Sequence, residues 1–558
     1  MNHWSAPGGR QKKRPHTWSI FASEERFPVL LFQVIMAPLA ALHITRAFEL
    51  LNEVRATWTQ STPGQNDRSR VVDTNKKSGT ILPESSSPMQ QSIQPDMDVR
   101  GLRFKQVIVS ESANPATHRE YKGLPDRARN KSKFGCRECK AKRVKCDEGY
   151  PTCKRCQRRG LVCTSVPRLT QWQVEAPWLS LQPKTHVNRR LLQYYLEKVS
   201  QAFVIDPENN PFSFPILKDL AQSPALLHAI HSVSANHEQY FPAEAPILAL
   251  EEHGKAIACL RREIDQVQRA HYTHFLTIML LSFMHVAGPD AKDYGKQHLF
   301  GARALINSML QDTSVSTTND PVVRLCLGVY LYWDMCSSFL VEPVEPRSIN
   351  SFIISLAVHR MGDWHHPMYG TCSSLLLTIA NVGRYCRKVH DMPQNRNFTQ
   401  EALLEAQLIE WKTSAQNPDL VHLYEAFRYQ GLVLLYQSRA HAQSSCSTDR
   451  DITQAQEPLI LMYAEETVRH LMLIPSSSYY LNFQSLALLS AGSELTKSNN
   501  ILRDKVRERL RAIYSLNRIP TNLMALQLVE ELWNNRDNGN RSFWLARMLQ
   551  KNWLLLLG

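Results

Sequence analysis

CRECKAKRVKCDEGYPTCKRCQRRGLVC, residues 136–163, decides how the rest of the chain is read. Its cysteines are Cys136, Cys139, Cys146, Cys153, Cys156 and Cys163, spaced C-x2-C-x6-C-x6-C-x2-C-x6-C. This is one unit, C-x2-C-x6-C, written twice around a six-residue loop. Thiolates at C-x2-C spacing grip a tetrahedral metal within one tight turn. Six ligands do not complete two independent four-ligand sites, but they do if two cysteines bridge both metals. Such shells are closed to water, so the metal is structural and not hydrolytic. None of these 28 residues is His, which excludes the eight-ligand, histidine-containing zinc modules of ubiquitin ligases.

The same stretch is the most basic in the chain. The whole protein has 558 residues and a formal charge of +14, which favours a polyanionic partner. Fourteen Lys or Arg and three acids fall between Arg127 and Arg168, a net +11, leaving about +3 for everything else. The other six of the twelve cysteines stand singly, at 259, 326, 336, 372, 386 and 446, and read as inert buried thiols. Paired CxxC without a secretory signal implies metal and a reducing compartment.

Residues 1–60 read as an N-terminal extension with a basic run at Lys12-Lys13-Arg14, a candidate nuclear import patch. Its apolar run from Val29 to Ile44 is broken by Gln33, Pro38 and His43, too short to span a membrane. Residues 61–130 are rich in Ser, Pro, Gln and Asn and read as a disordered linker. Residues 131–168 form the cysteine module. Residues 169–188 are a second linker, in and around which Pro167, Pro177 and Pro183 forbid an adjacent coiled coil. Residues 189–558 read as all-helical. Their helical segments are RRLLQYYLEKVSQAF, SPALLHAIHSVSANH, ILALEEHGKAIACLRREIDQV, HYTHFLTIMLLSFMHV, KQHLFGARALINSML, VVRLCLGVYLYWDMCSSFL, EALLEAQLIEWKTSA, LVHLYEAFRYQGLVLLYQSRAHA, PLILMYAEETVRHLML and ILRDKVRERLRAIYSL, with breakers such as GPD at 288–290 and IPSSS at 474–478. HFLTIMLLSFMHV is apolar nearly all round, which suits the centre of a bundle.

The cysteine stretch resembles the fungal binuclear zinc cluster family of DNA-binding transcription factors. The resemblance implies two zinc ions, with Cys136 and Cys153 as the shared ligands. Pro151 stands where the family keeps a loop-shaping proline, and Asp147 where an Asp commonly follows the third cysteine. It further implies a basic helix after the second cysteine, Lys140-Ala141-Lys142-Arg143-Val144-Lys145, entering the major groove. Lys142 and Arg143 then correspond to the base-reading pair, and Lys140 and Lys145 to phosphate contacts. The family's commonest order has Lys where this chain has Arg143. Arg still addresses guanine O6 and N7, and does so bidentately. The second copy adds Lys154, Arg155, Arg158 and Arg159, a basic face suited to backbone phosphates. Gly160 suits a helix stop.

The helical remainder resembles the fungal-specific regulatory domain that accompanies this cluster, through NPFSFPILKDLAQSPALLHAIHSVSANH, EEHGKAIACLRREI, HFLTIMLLSF and HLFGARALI. The expected fold is thus a small binuclear zinc-cluster module plus a large all-α regulatory domain. The expected function is a nuclear, sequence-specific regulator of RNA polymerase II transcription that binds double-stranded DNA at CGG-type sites. The helical domain would receive coregulators, a small-molecule effector or a second copy of the chain, without an adjacent coiled coil and without a membrane. Enzyme signals are missing: His237-Glu238 begins like HExxH but Phe241 stands at the second ligand position, and His365-His366 reads as a polar turn. The rivals are an enzyme with the zinc module as a targeting device, and an interaction scaffold whose module does not read DNA sequence.

Overall fold

The computed structural model describes residues 132, 134–165, 187–238, 245–266, 272–286, 291–311, 319–344, 350–446 and 450–558. The expectations for residues 1–60 and 61–130, and for nearly all of linker 169–188, lie outside the described residues. The described residues belong to one compact unit. They contain no strand, only a bridge between His366 and Gly370. Among them no helix is long and apolar enough to cross a membrane.

The cysteine module holds two five-residue helices, α1 (Arg137–Ala141) and α2 (Lys154–Arg158). The helical domain opens with α3 (Arg189–Tyr194), α4 (Leu217–Leu220), α5 (Pro224–His237), α6 (Ala245–Gln266) and α7 (Tyr272–Val286). It continues through α8 (Lys296–Leu310), α9 (Pro321–Ser337), α10 (Phe352–Met361), α11 (Ser373–Asp391) and α12 (Phe398–Glu410). It ends with α13 (Pro418–Cys446), α14 (Arg450–Leu473), α15 (Ser485–Gly492), α16 (Asn500–Asn517), α17 (Thr521–Asp537) and α18 (Trp544–Gln550). Helices α5, α6 and α7 pack together, and the stack then runs α7, α8, α9, α11, α13, α14, α15. Helices α16 and α17 pair with each other and close on α15.

One continuous apolar core fills this domain, and the six cysteines form a separate one. Helix α7 is buried from Phe275 to Leu281, as its all-round apolar sequence requires. Tyr330, Tyr332 and Trp333 of α9 are core residues. At the centre, the fully buried Asp334 carboxylate is gripped by Arg303 of α8, Arg384 of α11 and Asn350. Burial pushes this carboxyl up, but the two guanidiniums outweigh it and hold it below the usual range. Three helices are thereby locked to one charge.

Several elements differ from the sequence expectation. Helix α12 stops at Glu410, short of the expected WKTSA, because Trp411 turns back and donates its indole N–H to Ser374 Oγ at 3.0 Å. Helix α14 begins at Arg450, eight residues before Pro458, which sits exposed inside it. After Tyr194 the helix widens into a π turn, Tyr195–Val199, and then tightens to a 3-10 turn, Ser200–Phe203. The cause is Leu196: its carbonyl accepts from Ser200 Oγ (2.9 Å), Gln201 Nε2 (3.2 Å) and Ser213 Oγ (2.8 Å), side chains inserted into the backbone ladder.

Candidate metal centre and nucleic-acid interface

The two halves of the module fold the same way. Cys136 and Cys153 are helix N-caps, and each sulfur accepts the backbone N–H of the cysteine three residues on, at 3.5 and 3.4 Å. Each helix ends after five residues in a Schellman turn. In the first half Val144 N–H donates to Cys139 O at 3.0 Å; in the second Leu161 N–H donates to Cys156 O at 3.0 Å. Both turns need one left-handed residue: Arg143 (φ 53°) in the first half and Gly160 (φ 56°) in the second.

The expected helix through Lys145 is therefore corrected. Only Lys140 and Ala141 of the basic run are helical; Lys142 caps, Arg143 is left-handed, and Val144 and Lys145 lie outside the helix. The reason is the spacing itself. Cys139 and Cys146 must reach the same cluster, so the chain has to reverse within six intervening residues.

All six sulfurs are buried, and none is in a disulfide. They form two overlapping four-sulfur groups, Cys136/139/146/153 and Cys136/153/156/163, sharing Cys136 and Cys153. Neighbouring sulfurs lie 3.7–3.9 Å apart. A tetrahedron with zinc–sulfur bonds of about 2.3 Å has edges of about 3.8 Å. The donor set and spacing fit zinc. Burial pushes the Cys136 and Cys153 thiols well up and the Cys156 thiol up to about 11, so the thiolate form needs a compensating cation.

The three acids of the module are spent on its own backbone. Glu138 accepts Thr164 N–H at 3.0 Å and the Thr164 hydroxyl at 2.9 Å. Burial opposes its ionisation, but these bonds hold its carboxyl below the usual range. Asp147 Oδ2 accepts Lys154 N–H at 3.1 Å, and Glu148 Oε1 accepts Phe134 N–H at 2.9 Å. The cations are left uncompensated. Lys140, Lys142, Arg143 and Lys145 are exposed, and among the described residues no ion pair engages them. Lys154, Arg158 and Arg159 are also exposed, while Arg155 turns inward and donates to Cys139 Sγ at 3.9 Å.

The opposite side of the module rests on the helical domain. Arg511 Nη1 donates to Gly160 O at 2.7 Å, Cys163 N–H to Ser515 Oγ at 3.0 Å, and Arg518 Nη2 to Ser165 O at 3.1 Å. Tyr150, which precedes Pro151 through a cis peptide, donates its hydroxyl to Leu516 O at 3.3 Å, with the Lys198 ammonium 5.9 Å above its ring. The sequence reading missed these partners. Arg511, Ser515 and Arg518 recur at helical spacing on one face, which makes a polar stripe legible but not what it meets.

The other candidates resolve as structure. His237 bonds to Tyr194 Oη at 2.8 Å, and Glu238 pairs with Arg190. His366 is fully buried; it accepts Met368 N–H at Nδ1 (3.1 Å) and donates from Nε2 to Leu325 O (3.0 Å). Burial pushes it down to about 3, so it is a neutral turn residue. His228 and His231 both meet Glu252, whose other oxygen takes Lys255 at 2.7 Å, a hydrogen-bonded group in which the buried His231 Nε2 has no partner among the described residues. Cys259, Cys326, Cys336, Cys372 and Cys386 are buried thiols of the core.

Comparison with known proteins agrees with this geometry. Residues 134–173 match the fungal Zn(2)-Cys(6) binuclear cluster domain, and residues 190–558 match the fungal specific transcription factor domain. The chain is 27% identical over 151 residues to the Zn(2)-C6 fungal-type transcription factor afumD of Aspergillus fumigatus, covering 23% of this chain and 38% of that protein. It is 55% identical over 38 residues to sterol uptake control protein 2 of Saccharomyces cerevisiae, covering 7% of this chain and 4% of that one. A Zn(2)-C6 fungal-type transcription factor of Gibberella zeae is 46% identical over 39 residues, 7% of this chain and 8% of that protein. The alignments thus span well under half of each relative. No solved structure matches the chain. A domain match spanning about two-thirds of the length, joined to a six-cysteine module that can hold zinc, makes this chain a member of the fungal Zn(2)-Cys(6) family of DNA-binding transcription regulators.

Proposed function

We propose that the chain binds two zinc ions through Cys136, Cys139, Cys146, Cys153, Cys156 and Cys163, and reads CGG-type sites in the major groove to regulate RNA polymerase II transcription in the nucleus. On this reading residues 131–168 are the reader and residues 189–558 the regulatory domain, through which coregulators, an effector or a second copy act. Bound zinc holds the thiolates in place and supplies no reaction. Lys142 and Arg143 contact guanine edges from the turn that ends α1, and Lys140 and Lys145 flank them on phosphates. Lys154, Arg158 and Arg159 add backbone contacts, with Arg155 reassigned to steadying the Cys139 thiolate.

The observation that carries this reading is the exposed, unpaired basic turn, in a module whose carboxylates are all used on backbone N–H groups. Replacing Lys142 or Arg143 with Ala should weaken a CGG duplex by about 1–3 kcal/mol, roughly 5- to 150-fold, and barely change binding to scrambled DNA. Competition binding at fixed salt measures both. Equal losses on the two duplexes would rule the pair out as base readers.

A further inference from the structure

Between the second half of the module and α16 lies a cleft of about 400 Å³. Small-molecule sites start at about 300 Å³. One wall carries Thr152 and Lys154, the other Lys505, Arg509 and Arg511. Arg509 is the unusual member. It is only 7% exposed, yet among the described residues no carboxylate pairs with it. Its Nη2 donates to Ile474 O at 2.9 Å, and its Nη1 has no hydrogen-bond partner. Thr152 Oγ1, on the facing wall, is also buried without a partner. A buried cation lacking a counter-charge is costly unless something supplies one. Burial already pushes this guanidinium down to about 10, although neighbouring Glu508 pulls the other way.

The remaining charges in the cleft do not cancel Arg509. Asp147 is bonded to Lys154 N–H, and Glu508 is exposed. Lys505 is an exposed cation on the same helix, and Arg511 is held by Gly160 O. We propose that this cleft binds a small anion of the phosphate class, with Arg509 as its principal ligand and Lys505 and Thr152 as partners. Arg and Lys together suit such a group, the guanidinium by its paired N–H donors and the ammonium as a point charge. Duplex DNA is the other source of phosphate oxygens, but of the residues read as DNA contacts Lys154 alone lines the cleft, and Lys140, Lys142, Arg143, Lys145, Arg158 and Arg159 do not. The ligand is therefore a free small molecule, and the proposal stands whether or not the module reads CGG sites.

The test uses the full-length, zinc-loaded protein with inorganic phosphate and pyrophosphate as probes, by calorimetry at constant ionic strength. Saturable binding is expected, weakened about tenfold or more in Arg509→Met and severalfold in Lys505→Gln. Ala at Lys142 or Arg143 should leave it within about twofold. Because Arg509→Met could disturb α16, its zinc content and circular dichroism are compared with wild type. If it misfolds, the exposed Lys505→Gln, together with Thr152→Val, decides. No saturable heat beyond matched chloride overturns the proposal, as does undiminished binding in the folded cleft variants. Loss in the Lys142 and Arg143 variants to the same extent as in Arg509→Met also overturns it, because the phosphate would then sit on the DNA-facing turn.

Discussion

The two halves of the cysteine module share a spacing, an N-cap, a five-residue helix and a Schellman turn, and differ in what they do with the left-handed position. The second half puts Gly160 there, which adopts φ 56° without strain, and its carbonyl is then taken by Arg511 of α16. The first half puts Arg143 there, against the preference of any residue with a Cβ, and points the turn at solvent. A duplicated motif has thus been divided into a half held against α16 and a half whose basic turn faces solvent. The left-handed Arg143 marks the exposed half.

The largest effect should come from the two sulfurs that belong to both groups. Cys136→Ser or Cys153→Ser should cost both metals and unfold the module, abolishing specific DNA binding, whereas Cys163→Ser affects one four-sulfur group. Zinc stoichiometry by mass spectrometry separates these cases, and a strong chelator should reproduce the first. Next is Gly160→Ala. The added Cβ would sit 3.2 Å from Arg511 Nη1 at a positive φ, costing about 1–2 kcal/mol of module stability with CGG preference retained. Arg143→Gly reverses the sign: thermal stability should rise by up to about 1 kcal/mol while CGG binding falls. An Arg143→Gly module that is less stable would show that the strain is absent. The smallest effect belongs to Arg158→Gln and Arg159→Gln. Each should lower the slope of log affinity against log salt by about 0.9 and leave sequence preference alone. A change in preference would move the second half into the reading surface.

Much of this was legible in the sequence. Cysteine spacing alone required a closed thiolate cluster, and helical periodicity found KQHLFGARALINSML with both ends correct, Lys296–Leu310. Helices α4, α10, α11, α15, α17 and α18 fall outside the segments read as helical. Helix α15, SLALLSAG, is buried throughout, so it has no polar face to set a period. The basic run was expected to be helical through Lys145 because the family resemblance implied it, and Lys, Ala and Arg have nothing in their propensity against it. Closure of Cys146 onto the cluster overrides that propensity, a tertiary constraint that composition does not carry. Docking on α16 was hidden for a different reason. Its bonds mostly run to backbone groups, Gly160 O, Ser165 O, Leu516 O and Cys163 N–H, and backbone groups leave no residue-type signature.

Arg518 gives the linker a different mechanical meaning. It holds the Ser165 carbonyl at one end of the segment 166–186, and Lys198, just beyond the other end, lies against Tyr150 of the module. Both flanks are therefore moored to the same body. While the module is docked, α16 and not the number of intervening residues sets where the reader points.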